Sequence, residues 1–301
     1  MKIQFGKSEV ELGGNYLAAE LKDSTSVLDD VTALKRRLDE DGYLLLRGFH
    51  DRELVLDARR SVLEHLAKFD CIDDGTDLME GRMKLGGKAP RMTGQKVITH
   101  TEPVLALLEH ERVFEFFGRI FGTRTGTFDY KWLRAVGKTQ FTGAHYDVVY
   151  MGRGSTQLCT CWTPFGDIDI DQGPLALCVG SHKLPGFEKV RATYGCMDVD
   201  RDLVEGIFSN DPVEIVDQFG GQWQTTSFRA GDVLILGMFT IHASLTNSTD
   251  RWRISCDTRF QPADEEMDDR WIGEKPREHY ASGIPSAKIQ PIEDARADWG
   301  L

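Results

Sequence analysis

Three side chains limit what this chain can fold into more than any other feature. His145 and Asp147 stand two apart in Gly143-Ala144-His145-Tyr146-Asp147, and His242 follows 95 residues after Asp147. On an extended strand alternate side chains share a face, so the spacing predicts that His145 and Asp147 point the same way. His242 lies just past the apolar run Val233-Leu234-Ile235-Leu236, at the end of a second buried strand. A fold that joins those strand ends assembles two imidazoles and one carboxylate. Such a set holds one face of an octahedral Fe(II) and leaves three positions open for a cosubstrate and oxygen. An isolated HxD is a weak signal, and a single core histidine is usually satisfied by ordinary hydrogen bonds. The strand context around both pieces is what raises the combination, with Val148-Val149-Tyr150-Met151 read as the continuation of the first strand.

A guanidinium adds to the set. Arg253 lies eleven residues after His242, in Arg251-Trp252-Arg253-Ile254-Ser255. Alternation places Arg251, Arg253 and Ser255 on one face and Trp252, Ile254 and Cys256 on the other. An arginine inside a barrel needs a carboxylate partner, because an unpaired buried charge is costly. The distal carboxylate of 2-oxoglutarate would supply one through a bidentate pair, with the Ser255 hydroxyl assisting. Arg251 competes with Arg253 for that role. The remaining histidines (His50, His65, His100, His110, His182, His279) have no spaced partner and read as surface or capping residues.

The first third of the chain reads as helical. Val27, Leu28, Val31, Leu34 and Leu38 form one stripe after Ser24-Thr25-Ser26, and Asp41-Gly42 stops it. Tyr43-Leu44-Leu45-Leu46 is a buried strand, a second helix carries Leu54, Val55, Ala58, Val62 and Leu66, and a third runs from about Glu102 to Phe121. Residues 71–95 read as an exposed loop. After Gly122 come short β-rich runs: 128–136, 144–151, 156–163, 175–179, 232–236 and 251–260. The expectation is an α+β chain with a double-stranded β-helix (jelly roll, cupin-like) core and flanking N-terminal helices. It is read as a single domain: a helical part over about 1–122, a core over about 123–262, an insertion over about 183–230 that shapes the site, and a tail over 263–301.

Net charge is −12 without a basic run, which argues against nucleic acid or an anionic membrane surface as the main partner. No apolar run reaches membrane-spanning length, and the first residues lack the apolar core of a signal peptide. Six cysteines in 301 residues do not form a secreted disulfide framework, so the expected location is the reducing cytoplasm. Nothing in the sequence speaks to oligomeric state.

The chain resembles the phytanoyl-CoA dioxygenase family of Fe(II)/2-oxoglutarate oxygenases, from about Asp41 to Pro262. The resemblance rests on Asp41-Gly42-Tyr43-Leu44-Leu45-Leu46-Arg47-Gly48-Phe49, on His145-Tyr146-Asp147, and on Trp162-Thr163-Pro164. It rests further on Gly173-Pro174-Leu175 leading to Gly180-Ser181-His182-Lys183, and on His242 with Arg253. It implies that His145, Asp147 and His242 bind iron and that Arg253 binds the distal carboxylate of 2-oxoglutarate. It implies that Trp162 lines the cosubstrate pocket, a position a core aromatic fills equally well. Lys96 matches a lysine that reaches the cosubstrate region in relatives, with a surface role as the alternative, and Tyr130 matches another lining residue. Arg251 stands where some relatives have serine, so the resemblance leaves the competition between Arg251 and Arg253 open.

The implied activity is a dioxygenase that hydroxylates an unactivated C–H bond of a small organic molecule, with succinate and CO2 as co-products and Fe(II), 2-oxoglutarate and O2 as cofactor and cosubstrates. The carboxylate of Asp147 is present, which favours hydroxylation over halogenation. The alternatives are desaturation, epimerisation or ring formation on the same scaffold, or a non-catalytic jelly-roll binding protein. Tyr150, Met151, Arg134 and Arg153 are the candidate substrate-pocket residues. The two arginines suit an acidic group, and ordinary surface ion pairing is the alternative.

Overall fold

In a computed structural model, residues 1–279 and 288–301 are described. Among the described residues twelve strands are formed: β1 (Lys2–Phe5), β2 (Ser8–Glu11), β3 (Leu17–Ala18), β4 (Tyr43–Leu46), β5 (Thr125–Thr127), β6 (Trp132–Val136), β7 (Cys159–Pro164), β8 (Leu175–Cys178), β9 (Trp223–Thr225), β10 (Val233–Gly237), β11 (His242–Ser244) and β12 (Arg253–Pro262). The α-helices are α1 (Val31–Asp41), α2 (Arg52–Lys68), α3 (Lys96–Thr99), α4 (Glu102–Leu108), α5 (Glu111–Phe121), α6 (Val148–Met151), α7 (Glu188–Ala192), α8 (Val199–Asp202), α9 (Pro212–Phe219) and α10 (Ile292–Trp299).

Two sheets make the core. The larger runs β4-β10-β7-β12-β5, with β6 also paired to β12; the smaller runs β11-β8-β9-β3. All pairings are antiparallel except β3 with β9. Strand alternation explains why the sheets stack. Tyr43 and Leu45 of β4, Leu234 and Leu236 of β10, and Trp162 of β7 face inward and meet Leu175 and Leu177 of β8. Their neighbours Leu44, Leu46, Val233, Ile235, Cys159 and Cys161 face outward and are covered by Phe116 and Phe117 of α5. Ile254 and Cys256 of β12, with Trp252 just before it, pack outward against Val55, Ala58, Val62 and Leu66 of α2. This is the expected α+β jelly roll with helices laid over its larger sheet.

Several local expectations differ. The N-terminal third is not helical throughout: β1 and β2 form a hairpin, and β3 extends the smaller sheet. The helix expected from Glu102 to Phe121 is broken at Glu109-His110, where the His110 ring accepts a hydrogen bond from the Arg112 amide and caps α5. The 183–230 stretch is largely short helices, and its end, β9, joins the smaller sheet. Val148–Met151 does not continue a strand. Asp147 is already in right-handed helical backbone (φ −68°, ψ −28°) and opens α6. No helix among the described residues is long and apolar enough to cross a membrane. All six cysteines are free.

Gly42 ties the helical layer to the core. It ends α1 at φ +81°, a left-handed conformation that glycine adopts without steric cost. A Cβ there would lie 2.6 Å from His182 Nδ1 and 2.7 Å from Thr240 Oγ1. The Thr240 hydroxyl donates to the Gly42 carbonyl at 2.8 Å. Gly42→Ala should therefore cost the left-handed penalty of about 1–2 kcal/mol plus the overlap. Urea unfolding should show a lower midpoint at unchanged slope, and adding His182→Ala should recover part of the loss.

Candidate metal centre

Main-chain pairing brings the two histidines together. The His145 amide donates to the His242 carbonyl at 3.0 Å, and the His242 amide donates back at 3.1 Å, an isolated antiparallel bridge between the segment before α6 and β11. The rings stand 4.2 Å apart between centroids, inclined by 52°. Each ring donates through Nδ1 to a main-chain carbonyl two residues upstream: His145 to Gly143 at 2.8 Å and His242 to Thr240 at 3.0 Å. Those carbonyls select the tautomer that leaves Nε2 as the free lone pair. Asp147 Oδ1 lies 3.9 Å from both Nε2 atoms, and one donor atom from each of the three residues falls within 4.8 Å of the others. All three are buried. The expected convergence is observed, but not by alternation along one strand: the backbone turns into α6 at Asp147 and swings its carboxylate across.

The carboxylate is held on both oxygens. Thr160 of β7 donates its hydroxyl to Oδ2, and Arg259 of β12 donates Nη2 to Oδ1 at 3.2 Å. The Arg259 guanidinium lies 4.4 Å from the Trp132 ring centroid, and its Nε contacts Met151 Sδ at 3.1 Å. Burial alone would raise the Asp147 carboxyl, but Arg259 chiefly outweighs it and holds that carboxyl well below the usual carboxylate range. Burial, and next the neighbouring His242, push the His145 imidazole down to about 3, so it is in the neutral form at neutral pH.

Register on β12 separates the two competing arginines. Arg253, Ser255, Asp257, Arg259 and Gln261 alternate on its inward face, and all are buried. Arg253 is 2% exposed, donates Nη1 to Ser255 Oγ at 2.6 Å, and has no partner for Nε among the described residues. Burial and then the nearby Arg134 push its guanidinium down to about 10. Arg251 precedes the strand, is exposed, and is tied by its main chain to Arg82, Asn247 and Thr249. Arg253 is thus the arginine inside the barrel.

The other sequence candidates are placed as follows. Trp162 faces inward in register with Asp257 and packs edge-on against Phe228 at 4.7 Å. Tyr130 is buried among Trp132 and Trp271 and accepts from Arg91 at 3.3 Å. Lys96 donates to the Gly273 carbonyl at 2.8 Å and makes no contact with the triad or Arg253. Arg134 is paired with Asp257, and Arg153 is held by Asp198 at 2.6 and 2.7 Å, so neither is a spare acid receptor. The Tyr150 ring meets His145 at 5.6 Å, and Met151 is buried beneath Arg259. His279 and His182 have partners the spacing did not reveal, Asp200 and the Asp39 carbonyl.

Thr160, Asp257 and Arg259 were not singled out from the sequence. The period-two polar run Arg253-x-Ser255-x-Asp257-x-Arg259-x-Gln261 carried the signal for two of them. The Gly180-Ser181-His182-Lys183 stretch also gains a physical reading. Ser181 accepts the Ile241 amide on its hydroxyl at 2.8 Å and the Tyr146 hydroxyl on its carbonyl at 3.1 Å, so it braces residues adjacent to His242 and His145.

The donor set suits a divalent cation with open positions. The buried Arg253 and Arg259, with the part-exposed Arg134, face two buried carboxylates (Asp147, Asp257), so a cation at the triad needs a further anion beside it. The orphaned Nε of Arg253 is where one end of a dicarboxylate would be received. Replacing Thr160 by the near-isosteric valine removes one hold on Asp147 and should weaken divalent-metal affinity about 10–100-fold without unfolding the protein. Titration with Co(II), followed by visible absorption and by thermal melting, checks it.

Known proteins resemble this chain in sequence and in fold. The model of the phytanoyl-CoA dioxygenase family matches residues 38–255, a span that includes all three triad residues and Arg253. A 1-deoxypentalenic acid 11-beta-hydroxylase of Streptomyces exfoliatus is 30% identical over 257 residues, covering 80% of this chain and 84% of the relative. Among solved structures, the epimerase SnoN in complex with Fe3+, alpha ketoglutarate and nogalamycin RO superposes with a TM-score of 0.56 at 17% identity, covering 87% of this chain and 98% of SnoN. EctD from S. alaskensis, with 2-oxoglutarate and 5-hydroxyectoine, gives 0.56 at 14% identity over 92% of each chain. These two likenesses bear on the fold; the family match and the hydroxylase relative bear on descent. The chain belongs to the phytanoyl-CoA dioxygenase family.

Proposed function

We propose that the chain is an iron(II)- and 2-oxoglutarate-dependent hydroxylase of a small organic acid, with His145, Asp147 and His242 as the metal ligands and Arg253 as the cosubstrate's anchor. The observation that carries the reading is the pairing of a pre-oriented His-Asp-His set with a buried arginine that lacks a carboxylate partner. The acid is suggested by the hydroxylase relative, whose substrate is named as 1-deoxypentalenic acid. Six free thiols fit a reducing compartment.

When bound, iron with 2-oxoglutarate and dioxygen supplies oxidative decarboxylation to succinate and CO2 and the oxidising power to convert a C–H bond to C–OH. The chain's own residues orient and exclude. The Gly143 and Thr240 carbonyls keep both Nε2 lone pairs aimed at one point. Thr160 and Arg259 hold Asp147 ionised and leave Oδ1 turned toward both imidazoles. Arg253 and Ser255 receive the distal carboxylate, and the inward face of Trp162 is an apolar wall that helps exclude water. Tyr150, against His145, borders the side from which a substrate approaches.

The test is turnover of 2-oxoglutarate to succinate by iron-loaded protein with a panel of organic acids that includes 1-deoxypentalenic acid, followed by product mass. A gain of one oxygen supports the reading; a product with two hydrogens fewer or an unchanged mass would redirect it to desaturation or epimerisation. Absence of decarboxylation under all conditions would leave a binding protein. His145→Ala and His242→Ala should abolish metal binding and turnover while far-ultraviolet circular dichroism is retained. Arg253→Gln should raise the KM for 2-oxoglutarate at least about tenfold, the scale expected for losing one partner of a buried charge pair. Arg251→Gln should leave it within about twofold, since that side chain is solvent-exposed. The reverse order would place the cosubstrate elsewhere.

A further inference from the structure

Beside the metal centre lies a cavity of about 800 Å3, between the 83–93 segment and the edge strand β6. Its lining holds five cationic residues, Lys84, Lys88, Arg91, Arg134 and Lys138, against one carboxylate, Asp250. That concentration of positive charge occurs in a chain of net charge −12. Asp250 is already taken by Arg82 at 2.6 Å. Lys84 is paired with Asp70 and Asp74, Arg91 with Glu278 at 2.7 Å, and Arg134 with Asp257. Lys88 and Lys138 have no ion-pair partner among the described residues. Met92, Leu133 and Trp252 contribute apolar wall, and Thr93 and Gln140 contribute polar groups. The volume falls within the range typical of small-molecule sites, about 300–1,000 Å3.

The cavity borders the metal centre through β6. Arg134 lines it and at the same time pairs with Asp257 on the inward face of β12, close enough for Asp147 to stabilise its charge. Val136, another lining residue, is the register partner of Arg253. A molecule seated here places its charged end against Lys88 and Lys138 and its apolar body along β6, where Arg134 reaches from the cavity wall to Asp257.

We propose that this cavity is the subsite for the anionic group of an amphipathic substrate, a carboxylate carried on an apolar body, with Lys88 and Lys138 as its receptors. The inference rests on the oxygenase reading above and adds to it the class of substrate and the residues that select it. Clustered like charges on low-dielectric walls focus the field on an incoming anion, and two unpaired ammonium groups make its binding strongly salt-dependent.

The probes are octanoate and octan-1-ol, titrated into the full chain under anaerobic conditions with saturating Mn(II) and 2-oxoglutarate. Binding is followed by tryptophan fluorescence, because Trp252 lines the cavity, and by calorimetry. Octanoate should bind about tenfold more tightly than the alcohol, an advantage that fades as salt is raised. The double variant Lys88→Glu/Lys138→Glu should lower octanoate affinity about tenfold and leave the alcohol unchanged, and Lys88→Arg/Lys138→Arg should keep it. Equal affinity for acid and alcohol, or an undiminished octanoate affinity after charge reversal, overturns the proposal. On the same samples, a wild-type protein whose Tm does not rise with Mn(II) and 2-oxoglutarate would sink the oxygenase reading instead, so the two failures are told apart.

Discussion

Two main-chain hydrogen bonds between His145 and His242 are the interaction on which the rest of the structure depends. They join the segment before α6 to β11, which belongs to the smaller sheet, and so close the barrel at the candidate metal centre. Side-chain chemistry follows from that closure. With the two backbones paired, each imidazole finds a carbonyl two residues upstream for its Nδ1, and the two Nε2 atoms converge without further adjustment. A site built this way is organised before any ligand arrives, so little binding energy is spent on ordering it.

The bracing around this pair comes from residues remote in sequence. Ser181 holds the amide of Ile241, one position before His242, and the hydroxyl of Tyr146, one position after His145. Gly42 holds the loop that supplies the Thr240 carbonyl, and its missing Cβ is what allows His182 to approach. The motif around 180–183 is therefore structural in its chemistry and functional in its effect.

Much of this was legible in the sequence because buried strands are written as apolar runs and half-buried helices as stripes. The runs of β4 and β10, the stripes on α1 and α2, and the meeting of His145, Asp147 and His242 could all be anticipated, the last without its true backbone path. What could not be read has identifiable causes. The turn into α6 hid behind Val148-Val149-Tyr150-Met151, four residues whose β-propensity is overridden by the tertiary position of Asp147. Strand β3 has two residues and forms a parallel pairing far along the chain, leaving no local period to detect. Lys96 and Tyr130 came from resemblance alone, and their partners, the Gly273 carbonyl and Arg91, are tertiary contacts that no spacing encodes. The choice between Arg251 and Arg253 needed the point at which β12 begins, which two equally polar neighbours leave undefined in sequence.

Strand β12 serves two masters at single-residue resolution. Its odd-numbered positions feed charge to the interior, while its even-numbered positions, and Trp252 just ahead of it, give grease to the helical layer. Adding or deleting one amino acid in the 247–252 connection would exchange the two sets, thrusting indole and thiol at the His-Asp-His set and guanidinium groups at α2. The length of that short connection is consequently frozen for any descendant of this protein, whereas substitutions within it remain open to drift.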